Sequence, residues 1–205
     1  MILKTFEVGP ILENTYVVGD EDSREVFVVD PGGENHKIVS YIQENNLKPL
    51  AIICTHGHID HIAGAAELQN LLKLPMKIHG DDVPLLRQAP AAARMFGMGQ
   101  VEIPRVDGHL EDNEVLEAGK SELRVIHTPG HTPGGACLLG DGFMLSGDTL
   151  FQMSIGRTDL PGGSYGQIMQ SIKEKLLCLP DDLVVYPGHG PSTSIGFERE
   201  NNPFI

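Results

Sequence analysis

Three histidines and one aspartate lie within six positions of this chain, directly after an apolar run at residues 50–54. Side chains two positions apart in an extended backbone share a face, so His56 and His58 can aim at one point. Asp60 and His61 follow where the chain turns into a helical pattern, so they can aim at a second point nearby. Imidazole and carboxylate groups are common metal ligands, and this spacing predicts a site for two metal ions.

Three later segments repeat this arrangement, each with an apolar strand pattern that ends in a loop containing glycine. The loops have the sequences HTPGHTPGG, SGD and PGHG, and each presents one ligand candidate: His131, Asp148 and His189. Strand ends are held by a rigid scaffold, which is where clustered ligands are expected. We therefore expect five imidazoles and two aspartates to converge in one pocket.

Other polar residues near these loops have more than one interpretation. Asp30 follows the strand pattern at 25–29, and it is either a turn residue or a carboxylate that orients a metal-bound histidine. His127 is the second choice after His131 in its loop. His79 is predicted to be a packed or surface histidine rather than a ligand.

The elements that must position these residues follow a repeated order of strands and then a helix. Hydrophobic periodicity predicts, in chain order, strands at 2–8, 12–18 and 25–29, a helix at about 35–46, strands at about 115–117, 122–126, 136–139 and 142–145, a helix at 164–177, a strand at 183–186 and a helix near 194–201. Asp81 and Asp82 precede an apolar stretch with an early proline, which predicts a capped helix start. Residues 91–99 are interpreted either as core packing or as a mobile apolar wall of the active site. Two β layers with helices outside them are the natural packing, which predicts an α/β (α+β) fold.

The composition predicts a soluble, cytoplasmic protein with one domain at residues 1–205. It has 15 basic and 28 acidic residues, a formal net charge of −13, which disfavours nucleic acid as a partner. Three cysteines without Cys-x-x-Cys spacing indicate reduced thiols, and the first residues indicate a strand rather than a signal peptide. No apolar stretch in the sequence reaches membrane-spanning length, so we expect no membrane partner and a small-molecule substrate.

Taken together, the motifs HGHIDH, TPGHTPG, SGD and PGHG resemble the metallo-β-lactamase superfamily over nearly the whole chain. The resemblance implies the four-layer αββα sandwich of that fold. It also implies two divalent metal ions, with Zn²⁺ as the first expectation and iron or manganese as alternatives. By position, it implies that the first metal is held by His56, His58 and His131, the second by Asp60, His61 and His189, and that Asp148 bridges the two.

Within the superfamily, Asp148 and the His61 that follows Asp60 resemble the hydroxyacylglutathione hydrolases, or glyoxalase II. The segment SIGRTDLPGG resembles their short bacterial relatives. This resemblance implies cleavage of a thioester such as S-2-hydroxyacylglutathione, in which a metal-bridging hydroxide oriented by Asp60 attacks the carbonyl. Two differences stand out. Gly57 replaces a third histidine of that family, and its glutathione-binding helical domain has no counterpart in residues 1–205.

Two other activities fit the same motifs. Sulfur (persulfide) dioxygenases of the superfamily share the GRTD loop and use one iron ion held by two histidines and one aspartate. All the ligands of the second predicted metal are present here, which favours the hydrolase. A lactonase would use the same two metals, and the motifs do not separate it from a thioesterase. Arg157 and Asp159 are predicted to pair and to support the loop below the metals, in preference to a role in binding substrate.

Overall fold

The computed structural model describes residues 1–95, 97 and 100–205. The first half of the chain forms a six-stranded sheet, whose strands in spatial order are β1 (Ile2–Val8), β2 (Glu13–Gly19), β3 (Glu25–Val29), β4 (Lys48–Ile53), β5 (Met76–His79) and β6 (Gly108–Leu110). The first three strands pair antiparallel, and β3 to β6 pair parallel. Parallel pairing places the carboxyl ends of β3 and β4, and therefore the polar residues that follow them, at the same edge.

The second half of the chain supplies the strands β7 (Val115–Ala118), β8 (Ser121–His127), β9 (Ala136–Leu139), β10 (Phe143–Gly147), β11 (Leu150–Phe151), β12 (Ser154–Ile155), β13 (Val184–Pro187) and β14 (Thr193–Ser194). Six of them form a second sheet in the order β14-β13-β10-β9-β8-β7, and β11 pairs with β12. Because β10 and β13 are parallel, the loops that follow them also meet at one edge.

The helices are α1 (Asn35–Glu44), α2 (Ile59–Ile62), α3 (Ala65–Leu72), α4 (Val83–Leu86), α5 (Ala89–Met95), α6 (Tyr165–Gln170) and α7 (Ile195–Asn201). A 3₁₀ turn at Gly80–Asp82 precedes α4, and a π-helical segment at Ser171–Leu176 continues α6. Across the described parts of the chain, none of these helices has the length and apolar character that a bilayer crossing requires.

Alternation along the strands explains the layers. In β3, Val26 and Val28 pack with the helices of the first half, whereas Phe27 and Val29 pack against the second sheet. A third apolar cluster joins the outer face of the second sheet to α6, the π-helical segment and α7. The order of layers is therefore helix, sheet, sheet, helix, and the predicted αββα sandwich is confirmed.

Most predicted elements lie within one or two residues of their observed bounds. The helix predicted at 164–177 has the right extent, and the Ser164 hydroxyl accepts a hydrogen bond from the Gln167 amide as its cap. Its second half is π-helical, since the Leu177 amide bonds to the Ile172 carbonyl five residues back. In the stretch 91–99, Ala93 is buried and Met95 is 84% exposed. Phe96, Met98 and Gly99 lie outside the described residues, so that prediction stays untested.

Candidate metal centre

The loop after β4 brings four polar side chains to the edge of the sandwich. His56 is buried before the chain turns, and His58 has an extended backbone directly before α2. The single turn of α2 then carries Asp60 and His61. His61 is fully buried, whereas the Asp60 side chain keeps 14% of its surface exposed. Residues close together in the sequence thus supply both predicted pairs, His56 with His58 and Asp60 with His61.

The other three predicted residues come from the second sheet. His131 follows β8, Asp148 follows β10, and His189 follows β13. His131 is 4% exposed, and the side chains of Asp148 and His189 are 12% and 26% exposed. The two sheets therefore contribute to one cluster from opposite sides.

The seven side chains form two groups of three around one aspartate. Within each group, one ligand atom from every member lies within 4.8 Å of the others; the groups are His56, His58 and His131, and Asp60, His61 and His189. Asp148 faces both groups, since its Oδ1 lies 3.4 Å from His61 Nε2 and its Oδ2 lies 3.5 Å from His131 Nε2. All seven residues predicted from the sequence are thus brought together, and their role as ligands stays a prediction.

The cluster has the chemical character of a metal site. Among the described residues, His56 Nε2, His61 Nε2 and Asp148 Oδ1 are buried atoms without a hydrogen-bond partner. Such atoms are costly to bury unless something else binds them. His58 Nδ1 and His131 Nε2 also face each other at 2.9 Å. The donor set therefore fits divalent cations that prefer imidazole and carboxylate ligands.

The protonation states support this fit. Burial lowers the pKa of His56 well below its ordinary value, and burial with a neighbouring imidazole lowers the pKa of His58 to about 4. Burial opposes ionisation of Asp60 and Asp148, but the imidazoles of His61 and His189 together with other contacts outweigh it and hold the pKa of each carboxyl below its ordinary value. Two neutral imidazoles and two carboxylates are the forms in which these groups bind metals.

Asp30 orients His61. Its carboxylate accepts hydrogen bonds from the Thr55 amide (2.7 Å), the Thr55 hydroxyl (2.6 Å) and His61 Nδ1 (3.0 Å). Asp30 is 1% exposed and has a left-handed backbone, with φ of 50°. Because Nδ1 donates its hydrogen to Asp30, the Nε2 atom of His61 points into the cluster. Of the two interpretations open from the sequence, the orienting role matches these contacts.

The loop at Arg157 and Asp159 orients His131. Arg157 Nε and Nη2 each donate to the Asp159 carboxylate at 2.7 Å, so the predicted pair is confirmed. The carbonyl oxygen of Arg157 accepts a hydrogen bond from His131 Nδ1 at 2.8 Å. That bond leaves His131 Nε2 free to face the cluster.

Asn14, at the start of β2, was not singled out by the sequence but holds the loop of His189. Its Nδ2 donates to the carbonyls of Pro187 (3.0 Å) and Gly190 (2.9 Å), and its amide donates to the Gly188 carbonyl (2.7 Å). The only sequence signal is a polar residue at the start of an apolar strand.

The prediction that Asp82 caps the following helix with its side chain is wrong. Asp82 lies at the N-cap position of α4 but makes no capping bond with its side chain. Instead, its buried carboxylate accepts from the Gly57 amide (2.8 Å), the Thr132 hydroxyl (2.7 Å) and the Gly134 amide (2.6 Å). A Cβ atom at Gly134 would lie 2.9 Å from the Asp82 side chain, so glycine is needed for this approach. Asp82 thus links the loops that carry His56 and His131.

The remaining four histidines lie outside the cluster. His36 is exposed on α1 and His109 is exposed on β6. His79 and His127 pack against each other with parallel rings, 4.0 Å between centroids. The choice of His131 over His127 as the member of the cluster agrees with this placement.

This fold and this edge cluster define a known class of protein. A family model of the metallo-β-lactamase superfamily matches residues 8–189, and the chain belongs to that superfamily. Similar proteins include the probable metallo-hydrolase YqgX of Bacillus subtilis, 40% identical over 97% of this chain and 94% of that protein. The hydroxyacylglutathione hydrolase GloC of Haemophilus influenzae is 34% identical over 100% of this chain and 98% of that protein.

Solved structures show the same architecture. The B3 metallo-β-lactamase BLEG-1 superposes with a TM-score of 0.91 and 36% identity, covering 99% of each chain. TTHA1623, solved in a di-iron-bound form, gives a TM-score of 0.90 and 38% identity, covering 98% of this chain and 100% of that one. These likenesses indicate a hydrolase of the superfamily with a site for divalent metal ions.

Proposed function

We propose that this protein is a dinuclear metal-dependent hydrolase that cleaves a thioester such as S-2-hydroxyacylglutathione. The observation that carries the proposal is the pair of three-ligand groups joined by Asp148, because such a set provides two adjacent metal positions. The similarity to GloC, which extends over the whole chain, supports the thioester as substrate. The ions would be held by His56, His58, Asp60, His61, His131, Asp148 and His189.

When bound, the divalent ions would lower the pKa of a coordinated water and polarise the substrate carbonyl. Asp60 is ionised, and its Oδ2 lies 3.1 Å from His189 Nε2, at the more exposed side of the cluster. There the carboxylate orients the attacking water. Hydrolysis adds the water oxygen to the carbonyl carbon and breaks the C–S bond, which yields a carboxylate and a thiol. The thiol has an ordinary pKa of about 8.5, so it departs as a thiolate without a strong general acid.

A persulfide dioxygenase is the second candidate. The Arg157–Asp159 pair forms in the GRTD loop that dioxygenases of the superfamily share, and its backbone contacts His131. Iron also suits a site of two histidines and one aspartate. The complete second group, which the mononuclear enzyme does not need, favours the hydrolase.

Metal analysis combined with a substrate panel tests the proposal. Protein loaded with Zn²⁺ or with Fe²⁺ is assayed on S-lactoylglutathione, a lactone and a β-lactam, and on glutathione persulfide with oxygen uptake recorded. We expect about two ions per chain at the candidate centre and the highest turnover on the thioester. One ion per chain with oxygen uptake would establish the dioxygenase instead. Turnover confined to the lactone or the β-lactam would overturn the thioester assignment.

A further inference from the structure

A second group of potential metal ligands lies apart from the candidate centre. His79 ends β5 in the first sheet, and His127 ends β8 in the second. Their rings are stacked, with an interplanar angle of 8°. Asp81 lies beside them, and one ligand atom from each of the three residues falls within 4.8 Å of the other two. Two imidazoles and one carboxylate thus meet across the junction of the sheets.

The hydrogen bonds of this cluster leave one imidazole lone pair bare and engage the other only through a long bond that an ion would replace. His127 Nε2 lies 2.9 Å from the Pro133 carbonyl oxygen, which only accepts, so Nε2 carries the hydrogen and Nδ1 is bare. His79 Nδ1 accepts only a long bond of 3.3 Å from the Asp81 amide. The Asp81 carboxylate lies 3.8 Å from the same nitrogen, too far for a hydrogen bond. An ion about 2 Å from each atom could occupy that space.

The surroundings favour a cation. Burial and the neighbouring His127 ring lower the pKa of His79, so its imidazole is neutral at pH 7. The carboxylates of Asp82 and Glu111 have the opposite, smaller effect on the pKa of His79, and their negative charge favours a cation beside the cluster. Asp112 accepts from the His127 amide, and Lys175 pairs with Asp112 and donates to the His127 carbonyl. The chain as a whole carries a formal charge of −13.

We propose that His79, Asp81 and His127 bind a third divalent transition-metal ion, separate from the candidate centre. Imidazole with one carboxylate suits Zn²⁺, Ni²⁺ or Cu²⁺ better than Mg²⁺ or Ca²⁺, which prefer oxygen ligands. The Asp81 side chain is 65% exposed, so water can complete the coordination. Because in-plane lone pairs of parallel rings do not converge, the rings turn out of their stack when the ion binds.

The ion would connect the two sheets close to the loops of the candidate centre. Asp82 follows Asp81 directly and holds the Gly57 and Gly134 amides. A metal bound at the neighbouring position would restrain these loops without contacting their ligands. We therefore expect it to raise the melting temperature, because an ion that binds only the folded state stabilises that state.

Counting Ni²⁺ ions in tag-free full-length protein tests this site. Wild type, H79A, D81N and H127A are titrated by calorimetry and analysed for bound metal, with H36A as the control because His36 is an exposed histidine away from the cluster. We expect H79A and H127A each to bind one ion fewer than wild type and H36A, and D81N to bind that ion at least about tenfold more weakly. Equal counts in wild type, H79A and H127A would overturn the proposal.

Two further measurements make the result specific. The same comparison in a D148A background, which disables the candidate centre, should still show the difference of one ion between the parent and H79A. If D148A lowers the metal count and H79A does not, the proposed function is supported and the third site is overturned. If H79A lowers the count and D148A does not, the third site is supported and the proposed dinuclear centre is not. Should H127A fail to fold by circular dichroism, H79A decides. Cu²⁺ bound in the D148A background should show hyperfine coupling to two imidazole nitrogens that disappears in the D148A/H79A variant, and a spectrum that H79A leaves unchanged would contradict the site.

Discussion

The two halves of the candidate centre are built from different donors. The group with His56, His58 and His131 contains only imidazoles, whereas the group with Asp60 and His189 includes a carboxylate. The first group is supported by Asp82, which links the loops of His56 and His131, and by the Arg157 carbonyl. The second is supported by Asp30 behind His61 and by Asn14 beneath the loop of His189, and it includes His189, whose side chain is 26% exposed. This difference indicates that the first candidate metal position is the more rigid one. The second should be more sensitive to changes in the residues that support it.

The change that affects both halves is D148A. Asp148 faces the two groups with separate oxygens, so its removal should lower the metal content of the candidate centre to one ion or fewer. Turnover should fall at least about a thousandfold, since several kcal/mol of transition-state stabilisation depend on the metals. Metal analysis and steady-state kinetics measure both effects. D141A, an exposed carboxylate, is the control, and unchanged metal content in D148A would contradict the shared role.

A comparison of H58A with H189A separates the halves. Each should lose one ion, but in H189A the remaining three-imidazole group should keep its ion with nearly unchanged affinity. H58A removes a histidine from the more rigid first group, which Asp148 also faces. We therefore expect turnover to fall further in H58A than in H189A. Competition with a coloured chelator gives the affinities. If both variants lose both ions, the two positions are not independent.

Asp30 tests the support of the second group. The substitution D30N keeps the size but removes the charge that accepts from Thr55 and His61. We expect about 10- to 100-fold weaker binding at one position of the two, as is typical for a residue behind a metal-bound histidine. D22N, an exposed aspartate paired with Lys120, serves as control. Weakening at both positions alike would contradict an effect confined to His61.

Asn14 tests the same group with a smaller effect. N14A removes one of the two donors of the Pro187 carbonyl, which keeps the bond from the Tyr16 hydroxyl, and removes the side-chain donor of the exposed Gly190 carbonyl. The expected cost is about 1 kcal/mol. We expect a lower melting temperature and up to about tenfold weaker binding at the second position. N45A, which removes an exposed asparagine bonded to the Tyr41 carbonyl, is the matched control. Equal effects of N14A and N45A would show that the hydrogen bonds of Asn14 do not support the second group.

Acid should release the ions in two steps. The pKa of His58 is about 4, whereas burial opposes protonation of His61 and His189 but Asp148 and Asp60 outweigh it and raise their pKa values. As pH falls, protons therefore compete first for the histidines with raised pKa values, and the second group loses its ion at the higher pH. Dialysis between pH 7 and pH 4 followed by metal analysis measures this. H189A should show only the step at lower pH, and a single step in wild type would contradict the order.

The sequence predicted what is encoded locally. The ligand candidates after β4 lie in six consecutive positions, and strand alternation placed the layers, because both signals depend on neighbouring residues. The contacts that depend on distant segments were not predictable. Asp82 has the sequence context of a helix cap, yet its carboxylate accepts from Gly57 and Gly134. The π-helical segment likewise has an ordinary amphipathic pattern, and nothing in that pattern marks the change of hydrogen bonding.

The bonds from Asn14 to Pro187 and Gly190 join segments 173 and 176 positions apart. During synthesis on the ribosome, the first sheet emerges with His56, His58, Asp60 and His61 long before the partners of Asn14 appear. A nascent chain at that stage holds fewer than the full number of ligands and can bind a cation only loosely. The complete centre therefore arises only after residue 190 has left the exit tunnel and the last loop has docked.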